Sequence, residues 1–189
     1  MEQRTPEWHN FRKTRLTASR LGDVLADEKT RRYQDYLQDR IDMLNGAPHF
    51  QDDKPWFEHG KAWEPEARGR YEWDKGVDVE VPGAIVHPEY DFISCSPDGV
   101  IPDAIGMIEI KSHKSYKQFA AAEKKFPTQH KPQVQGSLWI IDCAWCDFIS
   151  FFKNGETTLI HVRRIEPDVE YFKRLEKACL EFWDKVKKG

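Results

Sequence analysis

No run of apolar residues in this chain comes near the roughly 18 that a membrane-spanning helix needs. The first residues also lack the basic, apolar and small-residue succession of a secretory leader, so a soluble, intracellular protein is expected. Cysteine is scarce: Cys95, Cys143, Cys146 and Cys179 are too few and too scattered for a disulfide framework. Cys143 and Cys146 form a lone C-x-x-C without the second pair, or His pair, of a structural zinc site, so plain buried thiols are expected. Internal repeats, low-complexity tracts and linkers are missing too. Nor is there a strong net charge, the formal value being −3. Aromatic residues, by contrast, are plentiful. Seven Trp and eleven Phe in 189 residues are enough for a real core, and a single domain over residues 1–189 is expected.

The small net charge hides a segregation. From Lys111 to Lys131 six lysines stand against one acid, a local charge of +5, whereas Asp52 to Glu80 sums to −4. A basic segment beside a carboxylate site suits a phosphodiester substrate, while a solvated helix face explains such a run taken alone.

The carboxylates lie in Phe92 to Ser112, FISCSPDGVIPDAIGMIEIKS. It reads as two strands of a hairpin, with Ser96-Pro97-Asp98-Gly99 between apolar residues and Met107 to Lys111 following. The two-residue period of a strand places Glu109 and Lys111 on one face and Ile108 and Ile110 on the other. Charged groups on an otherwise apolar strand need partners, because desolvating each costs several kcal/mol. Asp98 on the neighbouring strand brings a second carboxylate beside Glu109, and a divalent cation relieves such a pair. Taken singly, Asp98 is an ordinary turn residue of Pro-Asp-Gly and Lys111 an ion-pair partner of Glu109.

Around this stretch the pattern alternates. Thr5-Pro6-Glu7 starts a helix through Trp8 and Phe11, Thr17-Ala18-Ser19 opens a short second one, and Thr30 to Asn45 is a third, closed by Gly46. A loop covers Ala47 to Asp53. Pro55 to Asp74 is a helix with Trp56, Gly60, Trp63, Ala67 and Tyr71 on one stripe, and Pro65 is expected to kink it or mark a join. Val77 to Val81 and Ala84 to His87 read as short strands. Ser115 to Lys125 and His130 to Ile141 read as helices, Trp145 to Lys153 and Thr157 to Ile165 as a hairpin across Asn154-Gly155, and Pro167 to Lys187 as an amphipathic helix. The order gives an α/β fold, a mixed central sheet flanked by helices.

The spacing Pro97-Asp98, ten residues, Glu109-Ile110-Lys111 resembles the core motif of the PD-(D/E)XK nuclease superfamily. Four more blocks narrow it: Trp8-x-x-x-Arg12 with Thr17-Ala18-Ser19, then Gly60-Lys61-x-x-Glu64-x-x-Ala67-Arg68, then Cys95 to Gly99, and last Gln133-Val134-Gln135 with Trp139. In that order they resemble the phage lambda exonuclease and YqaJ-type viral recombinase family over most of the chain. The resemblance implies a Mg²⁺-dependent exonuclease, with Mn²⁺ as a substitute, degrading one strand of duplex DNA from its 5′ end. It also implies a homotrimeric ring around the DNA, a single-strand annealing protein as partner, and the cytoplasm of a bacterial or phage-infected cell.

Each matched residue then has an expected task. Asp98, Glu109 and the Ile110 carbonyl hold the metal, hard oxygen donors being what Mg²⁺ prefers. Glu64 completes a second ion site or is a surface acid of its helix. Lys111 positions or deprotonates the attacking water and balances charge on the pentavalent phosphate. Gln133 lines the site. Arg12 and Ser19 hold the terminal 5′-phosphate, a guanidinium fork and a hydroxyl being suited to a dianion. Arg15 is a candidate helper there, and Gln135 either contacts DNA or lies on the helix surface. His130 departs from the family, whose relatives often carry Tyr there, and Glu89 is the nearest candidate for an outer metal acid. A restriction- or repair-type endonuclease would share Asp98, Glu109 and Lys111 but not need Arg12 and Ser19. A non-catalytic DNA-end-binding module would need no complete acid–lysine set.

Overall fold

A computed structural model describes residues 3–47, 55–102 and 105–189. Helix α1 (Pro6–Lys13) is capped by the Thr5 hydroxyl, which accepts from the Trp8 amide. Strand β1 (Leu16–Thr17), a 3₁₀ turn at Ala18–Arg20 and the single helical turn α2 (Leu21–Val24) follow. Helix α3 (Arg31–Leu44) begins at the Thr30 cap and ends where Gly46 takes φ +81°, a left-handed conformation that glycine adopts without strain. The expected loop after Ala47 lies outside the described residues up to position 54.

Helix α4 (Pro55–Lys75) runs on through Pro65 as one helix and stops at Gly76, φ +63°. Ala67 and Tyr71 face inward with Trp63 packed beside them, as the stripe predicts; the side chain of Trp56 lies outside the described residues. The expected strand at Val77 to Val81 is not formed, since only Glu80 bridges to Val100 there.

The sheet holds the main correction. The expected first strand of the central hairpin divides at Ser96 to Asp98, and its halves join different sheets. β3 (Ile93–Cys95) lies between β1, parallel to it, and β2 (Ile85–Val86), antiparallel. β4 (Gly99–Ile101) pairs antiparallel with β5 (Gly106–His113). From β5 the chain crosses through α5 (Tyr116–Lys124), a 3₁₀ turn at Thr128–His130 and α6 (Lys131–Ile141) to β6 (Trp145–Asn154), parallel to β5. β7 (Thr157–Ile165) returns antiparallel across a two-residue turn in which Gly155 takes the positive φ such turns demand. Helix α7 (Val169–Lys188) closes the described chain, capped by Asp168.

The second sheet, β4-β5-β6-β7, is covered on both faces. Ile108 and Ile110 of β5 pack with Ile149 and Phe151 of β6 against Ala67 and Tyr71 of α4. On the other face Met107, Cys146 and Phe148 meet Val134 and Leu138 of α6. A third cluster joins β1 and β3 to α2, α3 and α7, with Phe182 5.1 Å from Tyr33 and 5.4 Å from Tyr36. All four cysteines are buried and unpaired.

Candidate active site

β4 begins at Gly99, opposite Ile108, so β5 after Ile108 has no strand on this side. The Ile110 amide is left for a side chain, and Asp98, one residue before β4, accepts from it through Oδ2 at 2.6 Å. Glu109 is 1% exposed, and its Oε1 accepts from Lys111 Nζ at 2.5 Å and from Gln133 Nε2 at 2.6 Å. The strand period supplies Glu109 and Lys111, and α6 supplies Gln133 from its first turn. Asp98 Oδ1 and Glu109 Oε2 accept no hydrogen bond among the described residues.

The electrostatics follow from this crowding. Burial first, then the charge of Glu109, pushes Asp98 well above the usual carboxylate range, with Glu64 adding and Lys111 opposing. Burial alone would lower Lys111, but Glu109 and Asp98 outweigh it and hold its ammonium above the ordinary lysine value. A divalent cation fits this donor set, through the free oxygens of Asp98 and Glu109 and the carbonyl of Ile110, the residue after Glu109. Among the described residues no three His, Cys, Asp or Glu side chains form a ready-made cage. Mg²⁺ asks for less, since it binds through one or two carboxylates and keeps several waters.

Glu64 reaches this region from α4 with both oxygens engaged. Oε1 accepts from Arg68 Nη2 at 2.8 Å and Oε2 from Arg4 Nη2 at 2.5 Å, while Arg68 Nε donates to the Asp98 carbonyl at 3.1 Å. Gln3 Nε2 donates to the Pro82 and Pro97 carbonyls at 2.8 and 2.9 Å, pinning the turn that presents Asp98. Sequence reasoning gave Gln3, Arg4 and Arg68 no role. An arginine one turn after Glu64 on the same helix was the available signal.

A second group of side chains surrounds Arg12. Its guanidinium donates through Nη1 to Ser96 Oγ at 3.2 Å and through Nη2 to Ser19 Oγ at 3.3 Å. It lies 4.2 Å from the Trp8 ring centroid, and Trp8 Nε1 donates to the same Ser96 hydroxyl at 3.0 Å. Burial lowers the Arg12 pKa to about 10, so it stays charged at neutral pH, and no carboxylate pairs with it among the described residues. Arg40, 7% exposed, fixes the helix end beneath by donating through Nη1 to the carbonyls of Arg12, Lys13 and Arg15. Ser96 stands two residues before Asp98, so the cationic pocket and the acid pair share one segment of chain.

Other expected residues lie elsewhere. Arg15 stacks on Phe11 at 3.9 Å and donates to the Phe11 and Asp91 carbonyls, bonds that turn it away from Ser19 and Ser96. Gln135 is 2% exposed, neither on the helix surface nor at the site. It donates to the Glu166 carbonyl and accepts from the Asp168 amide, each at 2.9 Å, tying α6 to the start of α7. Glu89 lies in the turn before β3, where its amide donates to His87 Nδ1 and its charge acts on His87 and Tyr90.

An aspartate before a short strand, a glutamate and a lysine two apart on its antiparallel neighbour, and flanking helices define a nuclease core of the PD-(D/E)XK type. The narrower assignment comes from comparison with known proteins. Residues 7–144 match the YqaJ-like viral recombinase domain, and the chain belongs to that family. Its structure superimposes on an alkaline exonuclease, LHK-Exo, from Laribacter hongkongensis with a TM-score of 0.86 and 28% identity, covering 97% of this chain and 93% of that one. LHK-Exo in complex with dAMP matches equally well. A phage related exonuclease from Haemophilus somnus 129PT shares the fold, with a TM-score of 0.75, 14% identity and coverage of 92% and 94%. An uncharacterized protein of Acanthamoeba polyphaga mimivirus, R354, is 26% identical over 196 residues. That match takes in 95% of this chain but 35% of R354, so the chain spans about a third of that relative's length. The protein is thus homologous to exonucleases.

Proposed function

We propose that this protein is a divalent-metal-dependent exonuclease that digests one strand of linear double-stranded DNA from its 5′ end, leaving 3′ single-stranded tails. The observation that carries the reading is the Arg12 guanidinium, with no carboxylate partner among the described residues, bonded to Ser19 and to Ser96 of the segment that also presents Asp98. An endonuclease has no use for such a pocket, whereas an enzyme that starts at a phosphorylated end needs one beside its acids. A guanidinium fork with two hydroxyls matches the oxygens of a terminal phosphate dianion.

Mg²⁺, or Mn²⁺ in its place, would be held by Asp98, Glu109 and the Ile110 carbonyl, and supplies Lewis acidity toward the phosphodiester and a more acidic bound water. The chain's own groups do the rest. Lys111, kept protonated by Glu109 and Asp98, donates to the attacking water or to the phosphate oxygen on which charge develops. Its place beside Glu109 serves either expected role, positioning the attacking water or taking its proton. Gln133 fixes the Glu109 carboxylate by donating to Oε1. Glu64 holds Arg4 and Arg68, and Arg68 steadies the Asp98 main chain.

The family reading also supports a ring-shaped homotrimer that encircles the duplex and a single-strand annealing protein that takes the 3′ tail. Digestion of matched substrates tests the core of the proposal: linear duplex with 5′-phosphate ends, the same duplex with 5′-hydroxyl ends, and closed circles, each with Mg²⁺ or EDTA. Mg²⁺-dependent loss of one strand from phosphorylated linear DNA is expected, with circles intact. Cutting of circles at the linear rate would establish the endonuclease instead, and binding of ends without cleavage the non-catalytic module. Light scattering with and without duplex tests the trimer.

A further inference from the structure

The sheet face that carries Glu109 and Lys111 does not end at the lysine. Register sets Lys111 beside Ser150 on β6, and Ser150 beside His161 on β7. One row back stand Glu109, Phe148 and Arg163, and one row on His113, Phe152 and Leu159. Register partners share a face, and diagonal neighbours on it come within reach of long side chains. Lys111, Ser150 and His161 therefore form a polar row across three strands, flanked by His113 and Arg163. Helix α5 lies over it, with Phe119 6.4 Å from Phe152 and 6.3 Å from His113, and with its Glu123 carbonyl accepting from Arg163 Nη2 at 2.7 Å.

Polar groups under a helix normally find partners. Among the described residues Ser150, 1% exposed, leaves Oγ without one, and so do His113 Nε2, His161 Nε2 and Arg163 Nε, all of them buried atoms. His130 joins from the 3₁₀ turn. Its ring lies 5.6 Å from that of Phe148, and after burial it is Lys111 and His113 that bear on its charge. No acid is hydrogen-bonded to Ser150, His113, His130, His161 or Arg163 among the described residues, and Glu109 engages only Lys111 and Gln133. The set is rich in donors and lacks an acceptor with several oxygens. A metal is a poor occupant, since no three metal-ligating side chains of the described residues converge. Next to a site that releases nucleotides, the anion with that many acceptor oxygens is a phosphate.

We infer that Ser150, His161, His113 and His130 form a phosphate-binding subsite beside Lys111 under α5 that takes the phosphate monoester of the released nucleotide once it leaves Arg12 and Ser19. The purpose rests on the nuclease reading, but the binding chemistry does not. His113 and His130, held below the ordinary histidine value by burial, take up protons as the dianion enters, and Ser150 Oγ and Arg163 Nε donate to it.

The test uses the full-length protein in EDTA, so that metal plays no part, with ¹⁵N-labelled histidine observed by NMR. Inorganic phosphate, dAMP and a short oligonucleotide with 5′-hydroxyl ends are titrated separately. His113 and His130 are expected to shift toward their protonated signatures, and the His161 signals to move with them, along one saturable curve with phosphate and dAMP. His87, packed between Tyr90 and Trp139, should not move. Ser150→Ala and His161→Ala should each weaken phosphate at least about tenfold, the loss of one charge-assisted hydrogen bond, while Arg12→Ala leaves the curve unchanged. The inference is overturned by unmoved histidines, which would mean that water fills the row, or by a curve that Arg12→Ala abolishes. An oligonucleotide that binds as well as dAMP overturns the monoester assignment. Normal digestion of DNA together with unmoved histidines would sink this subsite and leave the nuclease standing. Phosphate binding by a protein that never cuts would do the reverse.

Discussion

Asp98 and Ile110 are joined by a 2.6 Å hydrogen bond from the Ile110 amide to the Asp98 carboxylate, where β5 runs on past the first residue of β4. The bond occupies one carboxylate oxygen and leaves the other for a cation, so structure and chemistry at Asp98 separate in a single substitution. Asp98→Asn keeps a carbonyl oxygen for Ile110 and loses the charge. The variant should melt within a few degrees of wild type and still bind duplex ends, yet cut no faster than wild type in EDTA. Substantial Mg²⁺-dependent cutting by Asp98→Asn would remove Asp98 from the metal site.

Lys111 has one side-chain partner, Glu109 at 2.5 Å, which also accepts from Gln133. Lys111→Ala should lower single-turnover cleavage by two orders of magnitude or more, roughly 3 kcal/mol of transition-state stabilisation. Lys111→Arg should recover little, because a planar fork does not fit where a compact ammonium sits. Near-normal rates for the alanine variant would reduce Lys111 to an ion-pair partner.

Arg12 is predicted to sense the end of the DNA. Wild type should start on 5′-hydroxyl ends about ten- to a hundredfold more slowly than on 5′-phosphate ends, the worth of a charge-assisted hydrogen bond. Arg12→Ala should slow the phosphorylated substrate and flatten that ratio. Full discrimination retained by the variant would place the end-sensing pocket elsewhere.

Gln135 serves as a control for the assignment of roles. Gln135→Ala leaves the Glu166 carbonyl and the Asp168 amide without their side-chain partner and should cost about 1–3 kcal/mol in urea unfolding. Its cleavage rate per folded molecule should match wild type. A selective loss of DNA affinity would restore Gln135 to the substrate path.

His130 makes stability pH-dependent. Burial first, then Lys111 and His113, lowers its pKa from 6.5 to about 4. Above pH 6.5 neither folded nor unfolded chain carries the proton. As pH falls from 6.5 toward 4 the unfolded chain takes it up and the folded chain does not, so this part of the stability is lost over that window. In phosphate-free buffer, His130→Asn should gain on wild type by about 2 kcal/mol between about pH 7.5 and about pH 4.5. A constant difference across the range would show that His130 titrates normally.

The chemistry was legible because it obeys short-range rules. A two-residue period fixes Glu109 and Lys111 to one face whatever sheet the strand joins, and caps such as Thr5, Thr30 and Asp168 act within one helical turn. The ordered blocks from Trp8 to Trp139 carried the family for the same reason, each being a local cluster that needs no fold to be read. What only the tertiary structure decided are the long-range contacts. The break of one expected strand into β3 and β4 depends on two sheets competing for its edges, and that break is what frees the Ile110 amide for Asp98. Gln135 looked like a surface residue because helical spacing cannot foretell that the start of α7 will cover it. Ser96 meets Arg12 across 84 positions, and Arg4 meets Glu64 across 60, distances over which no periodicity speaks. Ser150 and His161 come beside Lys111 only through strand register. Local backbone sterics and hydrophobic periodicity set the elements, whereas which polar groups meet is set by how those elements close on one another.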